Sequence, residues 1–166
     1  QGGHGAVPHS ARDPVVAAAQ MILGLQTIVS RRVDPEDSAV LTVGMIQGGD
    51  AFNIIPDQVR FAGTVRTFSK DVQADLRTSM ASILEGIAKG AGMSVDLRYE
   101  ERTMPTVNDP FWCAQLREVA QEVHGVRFGR PGFRTMAGED MGYFLDKVPG
   151  VFFFVGAGNP EVGAQY

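Results

Sequence analysis

Apolar residues near the start of the chain recur at helical spacing. Asp13 and Pro14 suit the cap and the first position of a helix. The apolar residues that follow at helical spacing are Val15, Ala19, Ile22, Leu25 and Val29. The helix is predicted to end at Arg31 and Arg32, because cations suit the C-terminus of a helix.

Two strands are predicted after this helix. Residues 39–46 (AVLTVGMI) are rich in β-forming residues, and a polar break precedes a second strand over residues 58–68. Side chains alternate along a strand, so Val65 and Arg66 are expected on opposite faces. Because the two strands are close in the chain, they are predicted to pair antiparallel.

A second helix is predicted over residues 70–89, with Ser69 as its cap. Gly90 and Gly92 are expected to end it. Its apolar stripe consists of Val72, Leu76, Met80, Ile83 and Ile87. Residues 93–99 then alternate between apolar and polar side chains, which predicts a half-buried strand.

The order helix-strand-strand-helix-strand is one strand short of a βαββαβ ferredoxin-like sandwich. The first strand would precede the first helix, and the chain begins too late to supply most of it. Residues 1–106 are therefore predicted to form an α+β, ferredoxin-like domain without its first strand.

Residues 107–166 alternate helices and strands as in an α/β sheet, but they are too few to close one. A helix is predicted to begin at Asp109 and Pro110, a short helix to span residues 138–145, and a buried strand to follow at 151–155. This segment is predicted to be part of a larger α/β domain.

Composition narrows the function classes. The net charge is -4 at pH 7, which disfavours nucleic-acid binding because a phosphate backbone requires a basic surface. No apolar run reaches the roughly 18 residues of a transmembrane helix, and no polybasic patch indicates a membrane surface. Cys113 is the one cysteine, so no internal disulfide forms, and a cytoplasmic setting is expected.

Two histidines lie in the opening segment, residues 2–9 (GGHGAVPH). Glycine lets the backbone approach a ligand closely, so His4 is free to point into a site. The alternative is an exposed loop in which His4 and His9 have no function. The local sequence does not decide between the two interpretations.

Asn53 and Arg66 are candidates for binding a small polar ligand. Asn53 lies in a connection, residues 47–57, that is longer than a tight hairpin needs, and its side chain both donates and accepts. Arg66 offers a guanidinium that can bind a carboxylate through two parallel hydrogen bonds. The alternatives, which the local pattern favours, are a turn-forming asparagine and a solvated arginine.

Glu139 follows Gly138 at the start of the short helix in the second segment. A carboxylate there suits the helix dipole, which is the favoured local interpretation, and the functional alternative is a loop that lines a substrate pocket. The chain offers no metal site of its own, because its three histidines are scattered. Cys113 and His124 are too far apart along one predicted helix to act as a catalytic pair.

Four segments in this order and spacing resemble one hydrolase family. They are residues 2–9 (GGHGAVPH), 53–57 (NIIPD), 63–68 (GTVRTF) and 136–141 (MAGEDM). Together they are similar to the amidohydrolase branch of the aminoacylase and carboxypeptidase G2 metallopeptidase family, which includes hippurate hydrolases and indole-acetyl-amino-acid hydrolases. The resemblance covers essentially the whole chain.

The resemblance implies a ferredoxin-like lid, or dimerisation, domain over residues 1–106 and a partial α/β metallopeptidase catalytic domain over residues 107–166. It implies an enzyme with two divalent metal ions, zinc or manganese. The implied reaction is cleavage of the amide bond of an N-acyl amino acid or a similar small conjugate. The resemblance also allows a homodimer through the lid.

The resemblance assigns roles to individual residues as well. It makes His4 a catalytic residue that stabilises the oxyanion of the tetrahedral intermediate, in dimeric members at the partner's site. It makes Asn53 and Arg66 contacts to the substrate's carboxylate and nearby atoms. It places Gly138 and Glu139 along the substrate pocket.

The chain departs from the family pattern at the metal centre. The family's metal-binding motif and its general base would precede residue 1, and its last metal-binding histidine would follow Tyr166. No metal ligand is therefore assigned within the chain, which is expected to bind no metal and to be inactive alone. Two alternatives stay open, namely a non-catalytic dimerisation module that self-associates through an edge strand, and a small-molecule-binding α+β domain.

Overall fold

The computed structural model describes residues 1–130 and 132–158. The chain divides into two compact units, of which unit 1 is Gln1–Glu101 and unit 2 begins at Arg102. The domain boundary predicted after residue 106 stays a prediction and lies close to this division.

Unit 1 is a mixed α/β domain, as predicted. Its elements are β1 (Gly3–His4), α1 (Pro14–Arg31), β2 (Ala39–Gln47), β3 (Ile54–Ile55), β4 (Arg60–Thr67) and α2 (Lys70–Gly90), with a 3-10 turn at Pro8–Ser10. Strand β1 pairs with β3, and β2 pairs with β4, both antiparallel. The predicted helices, the two longer strands and the antiparallel pairing of these strands are confirmed.

The helix ends follow the capping signals in the sequence. The Asp13 carboxylate accepts a hydrogen bond from the Val15 N–H at 2.9 Å, and the Ser69 hydroxyl accepts one from the Val72 N–H at 3.3 Å. Both bonds satisfy N–H groups that lack partners at a helix start. Helix α2 ends where Gly92 takes a φ of 67°, a conformation that favours glycine.

The core of unit 1 lies between the two helices and the β2–β4 pair. Its most buried side chains are Leu25, Ile28, Leu76 and Leu84, and they pack with Leu41 of β2. Every residue of the stripe predicted for α2 lies in this cluster or packs against it. The predicted stripe of α2 is therefore confirmed.

The buried face of α1 differs from the stripe that its spacing predicted. Of the predicted residues only Leu25 is buried, while Val15 is 44% exposed and Ala19 is exposed. The buried residues are Ala17, Ala18, Met21, Leu25 and Ile28. Helix α1 is apolar on more than one face, so contact with α2 decides which face is buried. That contact is close, because a Cβ on Gly24 would lie 2.9 Å from the Ile83 Cγ2.

Residues 93–99 keep the alternation of a strand without its pairing. Met93, Val95, Leu97 and Tyr99 are half-buried, and the residues between them are exposed. Val95 and Leu97 pack against the core. The predicted strand is nevertheless wrong in hydrogen bonding, because no described strand lies beside it. In a ferredoxin-like sandwich its neighbour would be the strand expected before α1.

The register of β2 and β4 sets the positions of the side chains at the two ends of the pair. Val40 lies opposite Arg66 at one end, and Gln47 lies opposite Arg60 at the other. A bulge between Val43 and Met45 interrupts the ladder. Next to it, a Cβ on Gly63 would overlap the Thr42 carbonyl oxygen, so glycine is needed for the close approach of the strands.

Unit 2 contains two helices within its described residues, α3 (Pro110–Glu122) and α4 (Met141–Leu145). Both were predicted, and the Asp109 carboxylate caps α3 by accepting from the Trp112 N–H at 3.1 Å. Cys113 of α3 is a half-buried free thiol. Nowhere in the described part of the chain is a helix both long and apolar enough to cross a membrane.

The buried strand predicted at residues 151–155 is wrong. No strand is assigned there, and Phe153, Phe154 and Val155 are 54%, 60% and 78% exposed. Phe154 makes edge contacts with Phe133 and Phe152, but the described part of unit 2 does not bury this segment, and Gly142 is the one buried residue there. Residues 159–166 of the predicted second domain lie outside the described residues.

Candidate functional site

The short strands β1 and β3 bring two of the predicted site residues together. His4 lies opposite Ile54 in this antiparallel pair. Directly beyond the pair, the Gly5 N–H donates to the Asn53 carbonyl oxygen at 2.8 Å. His4 and Asn53, which are far apart in the sequence, are therefore neighbours on one exposed edge of unit 1.

This pairing requires small residues in the opening segment. The Gly2 N–H donates to the Asp57 carboxylate at 2.8 Å, and a Cβ on Gly2 would overlap the Ile55 carbonyl oxygen. A Cβ on Gly5 would lie 3.1 Å from the Asn53 carbonyl oxygen, tighter than ordinary contact. We call this arrangement of β1, β3 and their flanking hydrogen bonds the β1–β3 clasp.

One hydrogen bond orients the imidazole ring of His4. The Ala6 N–H donates to the His4 Nδ1 at 3.1 Å. A ring nitrogen that accepts a hydrogen bond carries no proton, so the proton of the neutral ring is on Nε2. Because the His4 side chain is exposed, the Nε2–H group is presented outward as a donor.

The loop before Asn53 adds an apolar group beside these polar ones. Phe52 is 105% exposed, and Asn53 is exposed as well. The clasp therefore presents a hydrogen-bond donor, an amide and an aromatic ring at one place on the surface. Asp57, which holds the clasp, and Ala6, which orients the His4 ring, were missed by the sequence analysis. The only signal for Asp57 was its place in the segment NIIPD.

Arg66 lies elsewhere in unit 1. It is half-buried near the end of β4, and its Nη1 donates to the Val65 carbonyl oxygen at 3.1 Å. The clasp is joined to the other end of the strand pair, at Gln47 and Arg60. Six residues separate Arg60 from Arg66, which corresponds to about 20 Å along a strand. The structure therefore brings His4 and Asn53 together and leaves Arg66 apart from them.

Gly138 and Glu139 belong to unit 2 and precede α4. Gly138 is exposed and Glu139 is half-buried. Asp140 occupies the cap position of α4 without a side-chain capping bond. The helix-dipole interpretation of Glu139 and its pocket-lining alternative both stay predictions.

The described residues do not fit the two metal ions that the resemblance implied. Among residues 1–130 and 132–158, no three side chains of His, Cys, Asp or Glu are grouped so that they could hold a metal ion.

Comparison with known proteins places the fold among amide-cleaving hydrolases. The chain is 40% identical over 161 residues to the N-acetyldiaminopimelate deacetylase of Leuconostoc citreum, covering 95% of this chain and 41% of the relative. It is 38% identical to the N-acetyl-L-cysteine deacetylase of Bacillus subtilis, covering 94% of this chain and 37% of that enzyme. The chain thus spans about two-fifths of the length of these relatives.

Solved structures of related hydrolases also match the fold of this chain. A candidate aminohydrolase of methicillin-resistant Staphylococcus aureus matches with a TM-score of 0.75 and 30% identity over 90% of this chain and 39% of that one. The YxeP protein of Bacillus subtilis, described as a dinuclear metal-binding peptidase of the M20 family, matches with a TM-score of 0.68 and 29% identity over 91% of this chain and 38% of that one.

Fold and relatives together define a domain from the class of M20 amidohydrolases and metallopeptidases. Residues 1–91, more than half of the chain, match the family model M20_dimer, the peptidase dimerisation domain. The chain belongs to this family of peptidase dimerisation domains.

Proposed function

We propose that this chain is the lid and part of the catalytic domain of an amidohydrolase of the hippurate-hydrolase type, which cleaves N-acyl amino acids or similar small conjugates. The β1–β3 clasp carries this proposal, because it presents His4 and Asn53 side by side. The proposal includes two divalent metal ions, zinc or manganese, held by residues outside this chain, a cytoplasmic setting, and an inactive chain when it is alone.

The proposed role of His4 follows from its hydrogen bonding. Attack on an amide carbonyl places negative charge on the carbonyl oxygen, and a donor fixed at that position stabilises the transition state. The Ala6 N–H bond holds the His4 ring with Nε2–H facing outward. No reorientation of the ring is then needed when the charge develops.

Asn53 and Arg66 are proposed to bind the substrate's carboxylate and nearby atoms. A guanidinium pairs with a carboxylate through two parallel hydrogen bonds, and the Asn53 amide can donate beside it. Arg60 and Arg66 lie about 20 Å apart along β4, and Asn53 precedes the Arg60 end of that strand. This spacing favours an arrangement in which the two residues reach one substrate from two copies of the chain.

A homodimer provides this arrangement, and the match of residues 1–91 to a dimerisation domain supports it. In such a dimer, His4 and Asn53 act at the partner's site, and Arg66 acts at the site of its own chain. Gly138 and Glu139 are proposed to line the substrate pocket, as the family motif implies.

The proposal is tested by His4→Ala in an enzyme that contains this chain together with the metal-binding remainder. The expected result is a fall in kcat of about 10²–10³, because one oxyanion donor is lost, with a much smaller rise in KM. The measurement is steady-state hydrolysis of N-acetyl amino acids.

His9→Ala is the matched control, because His9 is also exposed and lies in the 3-10 turn after the clasp. It is expected to leave kcat unchanged. An unchanged kcat in His4→Ala would remove the proposed role of His4.

A further inference from the structure

One short segment of unit 2 holds a longer one at two points. Residues 104–109 (MPTVND) immediately precede helix α3. They lie against α4 and are hydrogen-bonded to residues 150–152. We call residues 104–109 the anchor segment. Residues 138–152, which include Gly138 and Glu139, are called the pocket segment.

The first point of attachment is a close approach of two backbones. Gly142 lies in the first turn of α4 and is the one buried residue in the described part of unit 2. A Cβ on Gly142 would lie 2.7 Å from the Met104 carbonyl oxygen and 3.1 Å from the Pro105 carbonyl oxygen. The first distance is too short for a real side chain, so glycine is needed for α4 to lie this close to the anchor segment.

The second point of attachment is a pair of hydrogen bonds from one side chain. The Asn108 Nδ2 donates to the Phe152 carbonyl oxygen at 2.8 Å, and the Phe152 N–H donates to the Asn108 Oδ1 at 2.8 Å. Beside this pair, the Asp109 N–H donates to the Gly150 carbonyl oxygen at 2.9 Å. No strand is assigned at residues 151–155 of the described chain. The Asn108 amide therefore supplies the partners that a neighbouring strand would otherwise provide.

Apolar packing contributes little to the position of the pocket segment. No side chain is buried within the described part of unit 2, and Tyr143, Phe144 and Val148 are 47%, 65% and 65% exposed. Because apolar stabilisation scales with the area removed from water, it is small here. The two attachments to the anchor segment are therefore the contacts that hold the pocket segment in place.

We propose that Asn108 is a positioning residue, which holds the pocket segment where it binds substrate. Its amide acts on this segment at Phe152, and Gly142 provides the second attachment. With both points held, Gly138 and Glu139 are presented in one position, and with one point released the segment samples several. The inference rests on the proposed function, in which Gly138 and Glu139 line the substrate pocket.

This role predicts a change in KM and not in kcat. When only a fraction of the enzyme is in a binding-competent conformation, the apparent dissociation constant rises by the inverse of that fraction. Saturating substrate draws the remaining molecules into the competent conformation, so the maximal rate is kept. Loss of folded enzyme has the opposite signature, because it lowers the apparent kcat in proportion and leaves KM unchanged.

Asn108→Ala is tested in an enzyme that contains this chain together with the metal-binding remainder. It removes both side-chain hydrogen bonds to Phe152. KM for N-acetyl amino acids is expected to rise about tenfold or more, with kcat within about twofold, because two hydrogen bonds shift a conformational equilibrium by about this factor. The matched control is Gln115→Ala, which removes an exposed amide from α3 in the same unit and is expected to change neither constant.

Two further measurements test the two attachments separately. Hydrogen exchange at the Phe152 N–H, followed by mass spectrometry, is expected to accelerate in Asn108→Ala and to stay unchanged in Gln115→Ala. Gly142→Ala forces the Met104 backbone away from α4, and it is expected to raise KM at an unchanged kcat as well.

An unchanged KM in Asn108→Ala, or a fall in kcat at constant KM, would overturn the positioning role. Unchanged exchange at the Phe152 N–H in this variant would overturn it too. The amidohydrolase proposal fails separately, through an unchanged kcat in His4→Ala.

Discussion

At the scale of single residues, two glycines of the clasp determine where the His4 side chain lies. Gly2 and Gly5 contribute no side chain, yet each lies against the backbone of the β3 segment. Their contacts place His4 next to Asn53. The motif GGHG was recognisable in the sequence, but its pairing partner was not, because two-residue strands leave no periodic pattern.

Gly2→Ala is expected to open the clasp while leaving His4 itself unchanged. The added Cβ overlaps the Ile55 carbonyl oxygen, and overpacking typically costs about 1–3 kcal/mol. Hydrogen exchange of the Gly5 N–H, which donates to Asn53, is expected to accelerate about tenfold or more. NMR-detected exchange measures this, and an unchanged Gly5 rate would contradict the role given to Gly2.

At the scale of elements, local signals predicted helix ends better than helix faces. Asp13, Ser69 and Gly92 act where the sequence placed them, because capping depends on neighbours within a few residues. The buried face of α1 was predicted wrongly because the helix is apolar around most of its circumference. Contact with α2 selects one face, and the periodicity of α1 alone contains no information about α2.

Gly24→Ala and Gly86→Ala separate helix propensity from packing. A Cβ on Gly86 meets nothing within 4 Å, whereas one on Gly24 meets Ile83. Gly86→Ala is expected to raise the free energy of unfolding by about 0.5–1 kcal/mol. The free energy of unfolding of Gly24→Ala is expected to be lower than that of Gly86→Ala by about 1–3 kcal/mol, because the added methyl overpacks the contact between the helices.

Urea unfolding followed by helical circular dichroism measures both variants. Equal free energies of unfolding would show that Gly24 of α1 does not lie in close contact with Ile83 of α2.

At the scale of the whole molecule, the two units differ in what they can bury. Unit 1 has a core between two helices and a strand pair. The described part of unit 2 leaves large apolar side chains such as Phe111, Trp112 and Phe144 exposed. Sequence periodicity predicted helices in both units, but it could not show that these side chains stay exposed in the described part of unit 2, because burial depends on elements distant in the chain.

The length of β4 has a consequence for mixtures of variants. If Arg66 acts in its own chain and His4 in the partner's, His4→Ala and Arg66→Ala chains are each inactive as homodimers. A mixed dimer contains one site with both residues intact and one with neither. Equal mixing after subunit exchange is therefore expected to restore about a quarter of the original activity, since half of the dimers are mixed and each has one working site.

This complementation is measured by assaying the two full-length variants before and after exchange. Absence of any recovery would place His4 and Arg66 at the same chain's site. Recovery would show that β4, a strand of eight residues, acts as a spacer that makes each copy depend on its neighbour for activity.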